Sequence, residues 1–188
     1  MNLAYPKEWL TIANRALNLV GETSIQDFTG SGETTQNINI QLPSVVQQVL
    51  SYYPFRCARK RATLAPVLDA PVYEYQYAYQ LPSDFVSLVK VNTSKEFSFE
   101  ADKILCDDSE LQITYIALPE TPISLMPIIQ EAITVLLAYN ISKISTVNEG
   151  LTQRLYQEYQ LLVASAKQND DQGASQDLDG EEWWTETR

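Results

Sequence analysis

The chain has 188 residues, 45% of them apolar, with 24 acidic against 13 basic residues and a formal net charge of −11. That length can bury a sizeable core. So acidic a chain is a poor general binder of nucleic acid, because affinity for phosphate rests on Lys and Arg releasing counterions. There is no histidine and there are only two cysteines, Cys57 and Cys106. This excludes Ser-His-Asp and Cys-His catalysis, His-ligated zinc and a four-thiolate metal site. No enzyme, metal or cofactor is expected, and both cysteines read as buried free thiols.

The first helix is predicted over residues 6–20. Pro6 suits its first turn and Gly21 the position past its end. Trp9, Ile12, Ala13, Ala16, Leu17 and Val20 recur at spacings of three and four, which is one apolar stripe. A loop holding Gly30 and Gly32 leads to a second helix at 35–53. Its stripe runs from Ile38 to Tyr53, Pro43 predicts a kink or a late start, and Pro54 stops it.

Residues 55–118 change to strand texture. Tyr73, Tyr75, Tyr77 and Tyr79 alternate with other residues and predict four rings on one side of a strand. Leu81 to Asp84 is a turn, and Phe85 to Val91 a further strand. A hairpin is expected around Ala101-Asp102, and a last strand at 110–116. Pro119, Pro122 and Pro127 lead back to a buried helix at 128–145, apolar on all sides. A fourth helix is predicted at 150–167. The most apolar window is broken by Gln130, Glu131, Asn140 and Lys143 and is too polar to span a membrane. The N-terminal MNLAYPKEWL does not read as a secretory signal.

The last twenty residues carry seven acidic residues and one Arg, with no period. They predict a flexible acidic tail over 169–188. The expected architecture is therefore α+β: a four-helix bundle with a small antiparallel β lobe (55–118) inserted between helices two and three, and a disordered C-terminal tail. Residues 1–168 form the domain, with helices in 6–53 and 128–167.

Three constellations bear on function. PFRCARKRATL at 54–64 holds Arg56, Arg59, Lys60 and Arg61. It is either a patch for an acidic partner or phosphate, or a solvated strand edge. Asp107, Asp108 and Glu110 could act as paired acids in glycoside hydrolysis, or form a solvated turn. Trp183 and Trp184, followed by Arg188, lie in a segment that cannot form a core and read as a partner anchor.

The layout resembles a known family. Helix one ends in A-L-N-L-V-G-E at Ala16 to Glu22, and I-Q-D-F-T-G follows at Ile25 to Gly30. Helix two runs into Y-P-F-R-C-A-R-K-R-A-T-L at Tyr53 to Leu64. Y-Q-Y-A-Y-Q-L-P-S-D-F then stands at Tyr75 to Phe85. Together these resemble the head-to-tail adaptors of short-tailed phages, the tail tubular protein A or gatekeeper family, over roughly residues 6–165. Phe55 stands where that family more often has Trp.

The resemblance implies a structural virion protein, assembled in the host cytoplasm. A ring of about twelve copies would sit under the portal, extend the DNA channel and receive the tail nozzle. Portal, nozzle protein and further copies of the chain would be its partners. DNA would pass without sequence-specific binding, and no membrane is involved. On this reading Trp183, Trp184 and Arg188 meet the portal, and Arg56, Arg59, Lys60 and Arg61 meet a neighbouring subunit or the channel. A tail-associated peptidoglycan hydrolase and a non-virion acidic adaptor module are the alternatives.

Overall fold

A computed structural model describes residues 6–68, 71–144 and 149–179, with the side chains of the last helix described as far as Gly173. Helix α1 spans Lys7–Leu19, and its buried face is the predicted stripe of Trp9, Ile12, Ala13, Ala16 and Leu17. It ends in a Schellman motif. Gly21, at φ 76°, donates its N–H to Asn18 O at 3.2 Å, and Glu22 donates to Leu17 O at 2.9 Å. Those bonds satisfy carbonyls that the helix itself leaves open. Helix α2 spans Glu33–Tyr52 and runs through Pro43 instead of starting after it. Helix α3 spans Pro127–Ile144 and is buried on nearly every side, as its composition predicts. Helix α4 spans Glu149–Asp179.

The chain divides into two compact units. The helical unit takes the chain up to Val49, Phe55–Cys57, and the chain from Glu120 on; the β unit takes Leu50–Pro54 and Ala58–Pro119. Within the helical unit the predicted four-helix bundle does not form. Helix α3 packs closely on α4 and on α1, whereas α2 makes no comparable backbone approach to any of the three. The spacing of two helices depends on the side chains between them. Ala13, Ala16, Ala132, Ala138 and Ala166 are buried and small on the helices that close up. Helix α2 contains neither Ala nor Gly. Its Ile38, Leu42, Val45, Val46 and Val49 are nonetheless fully or almost fully buried, and Gln41 accepts a hydrogen bond from Asn140 of α3 at 3.3 Å.

The tail expectation also needs correction. Helix α4 continues through residues 169–179, well past the predicted end at 167. Asp170 is only 3% exposed, so the helix is anchored at that residue where its composition suggested a free chain.

The β unit holds two sheets where one small lobe was expected. Strands β1 (Arg59–Leu64), β6 (Leu111–Ala117) and β3 (Phe85–Asn92) form one antiparallel sheet in the order β1-β6-β3. Strands β2 (Tyr77–Gln80), β5 (Lys103–Cys106) and β4 (Phe97–Glu100) form the other, in the order β2-β5-β4. Both sheets feed one core that includes Leu64, Tyr79, Val91, Ile104, Leu111 and Ile113. Phe85 of β3 stacks on Tyr115 of β6 at 5.8 Å and on Phe99 of β4 at 6.0 Å, so aromatic packing crosses from sheet to sheet. The hairpin around Ala101-Asp102 is present, with Ala101 at φ 52°.

The tyrosine ladder is only half a ladder. Tyr77 and Tyr79 lie on β2, and Tyr79 is fully buried. Residues ahead of them are not strand. Glu74 has φ 69°, and Tyr75 donates its N–H back to Tyr73 O at 2.9 Å. That turn breaks the extended run and leaves Tyr73 74% exposed. Cys106 is buried, Cys57 is half-buried, and both are free thiols.

Candidate interaction surface

The basic run does not act as one patch. Arg56 lies in a 3-10 turn, Arg56–Ala58, in the helical unit. Its backbone N–H donates to Asp170 Oδ1 at 3.0 Å, and its Nε lies 3.7 Å from Asp170 Oδ2. Gly173, nearly one helical turn on, leaves room for the guanidinium, since a Cβ there would come within 1.9 Å of Nη2.

The other three cations sit on β1, where side chains alternate between faces. Lys60 lies on the same side as Ala62 and Leu64, which pack against the β core. It stands opposite Tyr115 in the register, and its Nζ donates to Asp84 Oδ2 at 2.7 Å. Tyr115 donates its hydroxyl to Asp84 Oδ1 at 3.0 Å. Asp84, at the end of the Leu81–Asp84 turn, thus has both oxygens engaged. Partial burial pulls its carboxyl upward, but the hydrogen bonds from Lys60 and Tyr115 and the charge of Lys60 outweigh this, and it titrates below the usual carboxylate range. Burial, helped by the bond to Asp84, pushes the Tyr115 hydroxyl up to about 12. Lys60 is therefore a clamp between strand and turn.

Arg59 and Arg61 project from the opposite side of β1, although Arg59 Nε is held by Pro54 O at 2.9 Å. The register lines Arg61 up with Thr114 of β6 and Lys90 of β3, and the next row lines up Thr63, Gln112 and Asn92. With strands about 4.8 Å apart, Arg61 and Lys90 flank Thr114 at about 10 Å from each other. Arg61, Thr63, Lys90, Asn92, Gln112 and Thr114 line a shallow concavity of ≈ 370 Å³. Asn92 Nδ2 donates to Gln112 Oε1 at 3.0 Å. Strands β1, β3 and β6 contain no acidic residue. Among the described residues no carboxylate pairs with Arg61 or Lys90. Glu110, just ahead of β6, borders the face, and Gln112 Nε2 donates to it at 3.5 Å. Sequence reasoning did not single out Lys90, Asn92 or Gln112. The signal available was the polar partner positions of the alternating strands.

The candidate acids have structural partners. Asp107 Oδ1 accepts the Gln76 N–H at 2.8 Å. Asp108 pairs with Lys95 at 2.9 Å and accepts the Thr93 hydroxyl. The bonds from Lys95 and Thr93 hold its carboxyl below the usual range. A proton donor at neutral pH needs the opposite shift. Among the described residues no three potential metal ligands cluster, and no helix is long and apolar enough to cross a membrane. Trp183, Trp184 and Arg188 lie outside the described residues. In comparisons with protein-family models and with curated proteins, no match to the chain was found.

Proposed function

We propose that the chain is a structural virion protein, a head-to-tail adaptor that forms a ring under the portal of a short-tailed phage, extends its DNA channel and receives the tail nozzle. The observation that supports this reading most is the Lys60–Asp84 ion pair. It ties together two of the four segments that carry the resemblance, the Y-P-F-R-C-A-R-K-R run and the L-P-S-D-F turn. Both motifs then have a shared architectural reason, and neither needs a substrate. The same ion pair leaves Arg61 on the other side of β1, available to a partner. The neutral or cation-poor remainder of so acidic a chain suits a conduit that must not hold DNA phosphate.

The hydrolase reading is disfavoured by the engagement of Asp107 and Asp108 with Gln76, Lys95 and Thr93. The deciding experiment mixes the full chain with the portal ring of the same phage and examines the product by sedimentation and electron microscopy. A ring of density added to one end of the portal is expected. Free chain with an unchanged portal refutes the reading, and clearing of a peptidoglycan suspension would favour the hydrolase.

A further inference from the structure

We infer that the outer face of the β1-β6-β3 sheet, centred on Arg61 and Lys90, is a self-association surface that takes the acidic helical unit of a second copy of this chain. The inference rests on the ring-forming reading above and names the surface that such a ring would use.

The argument starts from charge. The β unit carries six basic against nine acidic residues, and the helical unit seven against fifteen. Most of the chain's excess negative charge therefore belongs to the helical unit. Against that background, three strands without a single acidic residue hold Arg59, Lys60, Arg61 and Lys90. Lys60 is used internally by Asp84. Arg61 and Lys90 are exposed and have no carboxylate partner among the described residues.

The polar groups between the cations bear on what kind of anion fits. Thr63, Thr114, Asn92 and Gln112 offer acceptors as well as donors. A nucleic-acid backbone presents acceptors to such a face and would leave its carbonyl and hydroxyl acceptors unused. A protein surface brings carboxylates for Arg61 and Lys90 and N–H donors for the amides. The three cations of this face, Arg59, Arg61 and Lys90, would also release few counterions, too few to offset the repulsion of phosphate by a −11 chain. Copies repel each other as well, but beyond about 8 Å that repulsion is screened at physiological salt while contact pairs persist. Pairing a cationic sheet face with the acidic helical unit of another copy is heterologous, the kind of contact that builds rings.

The test uses the full chain and the double variant Arg61→Glu/Lys90→Glu. Sedimentation velocity over a range of concentrations, at physiological salt and with or without portal, reads self-association; thermal melting reads folding. The wild type is expected to self-associate. The variant should melt as the wild type does and lose association by at least about tenfold, as truncated charge pairs at interfaces do. If the reversal lowers the melting temperature, Arg61→Gln/Lys90→Gln replaces it, with the same expectation. Association of the variant within about twofold of wild type, or no association of the wild type in either condition, overturns the inference. So does loss of binding to a labelled DNA duplex with association intact, which would make the face a nucleic-acid site. A wild type that associates through this face but ignores the portal leaves the inference standing and removes the adaptor reading.

Discussion

Asp170, buried near the end of the described side chains of α4, accepts the backbone N–H of Arg56 at 3.0 Å across 114 residues of sequence. The 3-10 turn that follows α2 is thereby fixed to the C-terminal helix. Replacing Asp170 with Ala leaves a part-buried donor without its acceptor, a loss of about 1–3 kcal/mol. The melting temperature should fall accordingly. Gly173→Ala displaces the end of the Arg56 side chain but improves helix propensity by about 1 kcal/mol, so its melting temperature should change much less than that of Asp170→Ala. Equal losses in the two variants would mean that the guanidinium, not the buried acceptor, holds the turn.

Titration of Asp84 and Tyr115 sets opposite limits. The carboxyl of Asp84 is lowered in the folded chain, so its contribution is present above the ordinary value of 3.8 and is lost as pH falls through the folded value. Tyr115 is raised from 10.0 to about 12, so its contribution is complete below 10.0 and is lost as pH rises through about 12. Denaturant melts of Tyr115→Phe should show a flatter stability profile between those two pH values than the wild type. A parallel profile would mean that the hydroxyl ionises as freely folded as unfolded.

Helix α3 is the core of the helical unit, and Ile133 is fully buried on it. Ile133→Ala should cost about 2–5 kcal/mol, the range for a large-to-small change that leaves a cavity. Urea titration would show a lower midpoint. A loss under about 1 kcal/mol would indicate that the neighbouring helices close over the space.

The adaptor reading makes one demand on the C-terminal residues. Burying one tryptophan contributes about 2–3 kcal/mol, and a repeated contact around a ring multiplies a weak one. Trp183→Ala/Trp184→Ala should leave the melting temperature unchanged and sharply weaken portal binding in a pull-down. Undiminished binding would remove both tryptophans from the portal contact.

Local signals carried most of the elements but not their neighbours. Pro6, Gly21 and the stripe from Trp9 to Val20 were enough for α1, because start, stop and buried face are all written within one segment. The stripe of α2 showed that it is buried, yet nothing in it names the helix it meets, and the expected bundle failed there. Past residue 167, α4 meets Arg56, far away in sequence, at Asp170, and its own composition argues for a free chain. The tyrosine repeat had the period of a strand; a single positive φ at Glu74 stops the strand where no Gly or Pro marks the place. Arg61 was visible as part of a basic run. Its pairing across Thr114 with Lys90 exists only once β6 lies between their strands.

The end of α1 also separates two requirements that usually come together. Its chain neighbours aside, no atom of the described residues lies within 4 Å of the point where an L-residue's Cβ at Gly21 would stand. The position is therefore closed to ordinary side chains by handedness alone, since φ 76° is unfavourable for L-residues. A D-alanine introduced by chemical synthesis removes that mismatch of handedness, because a positive φ is the favoured region for a D-residue. It should even stabilise the chain, by about 0.4–1 kcal/mol, because the unfolded state loses freedom that glycine has. Its L-enantiomer, identical in volume and polarity, should destabilise the same turn.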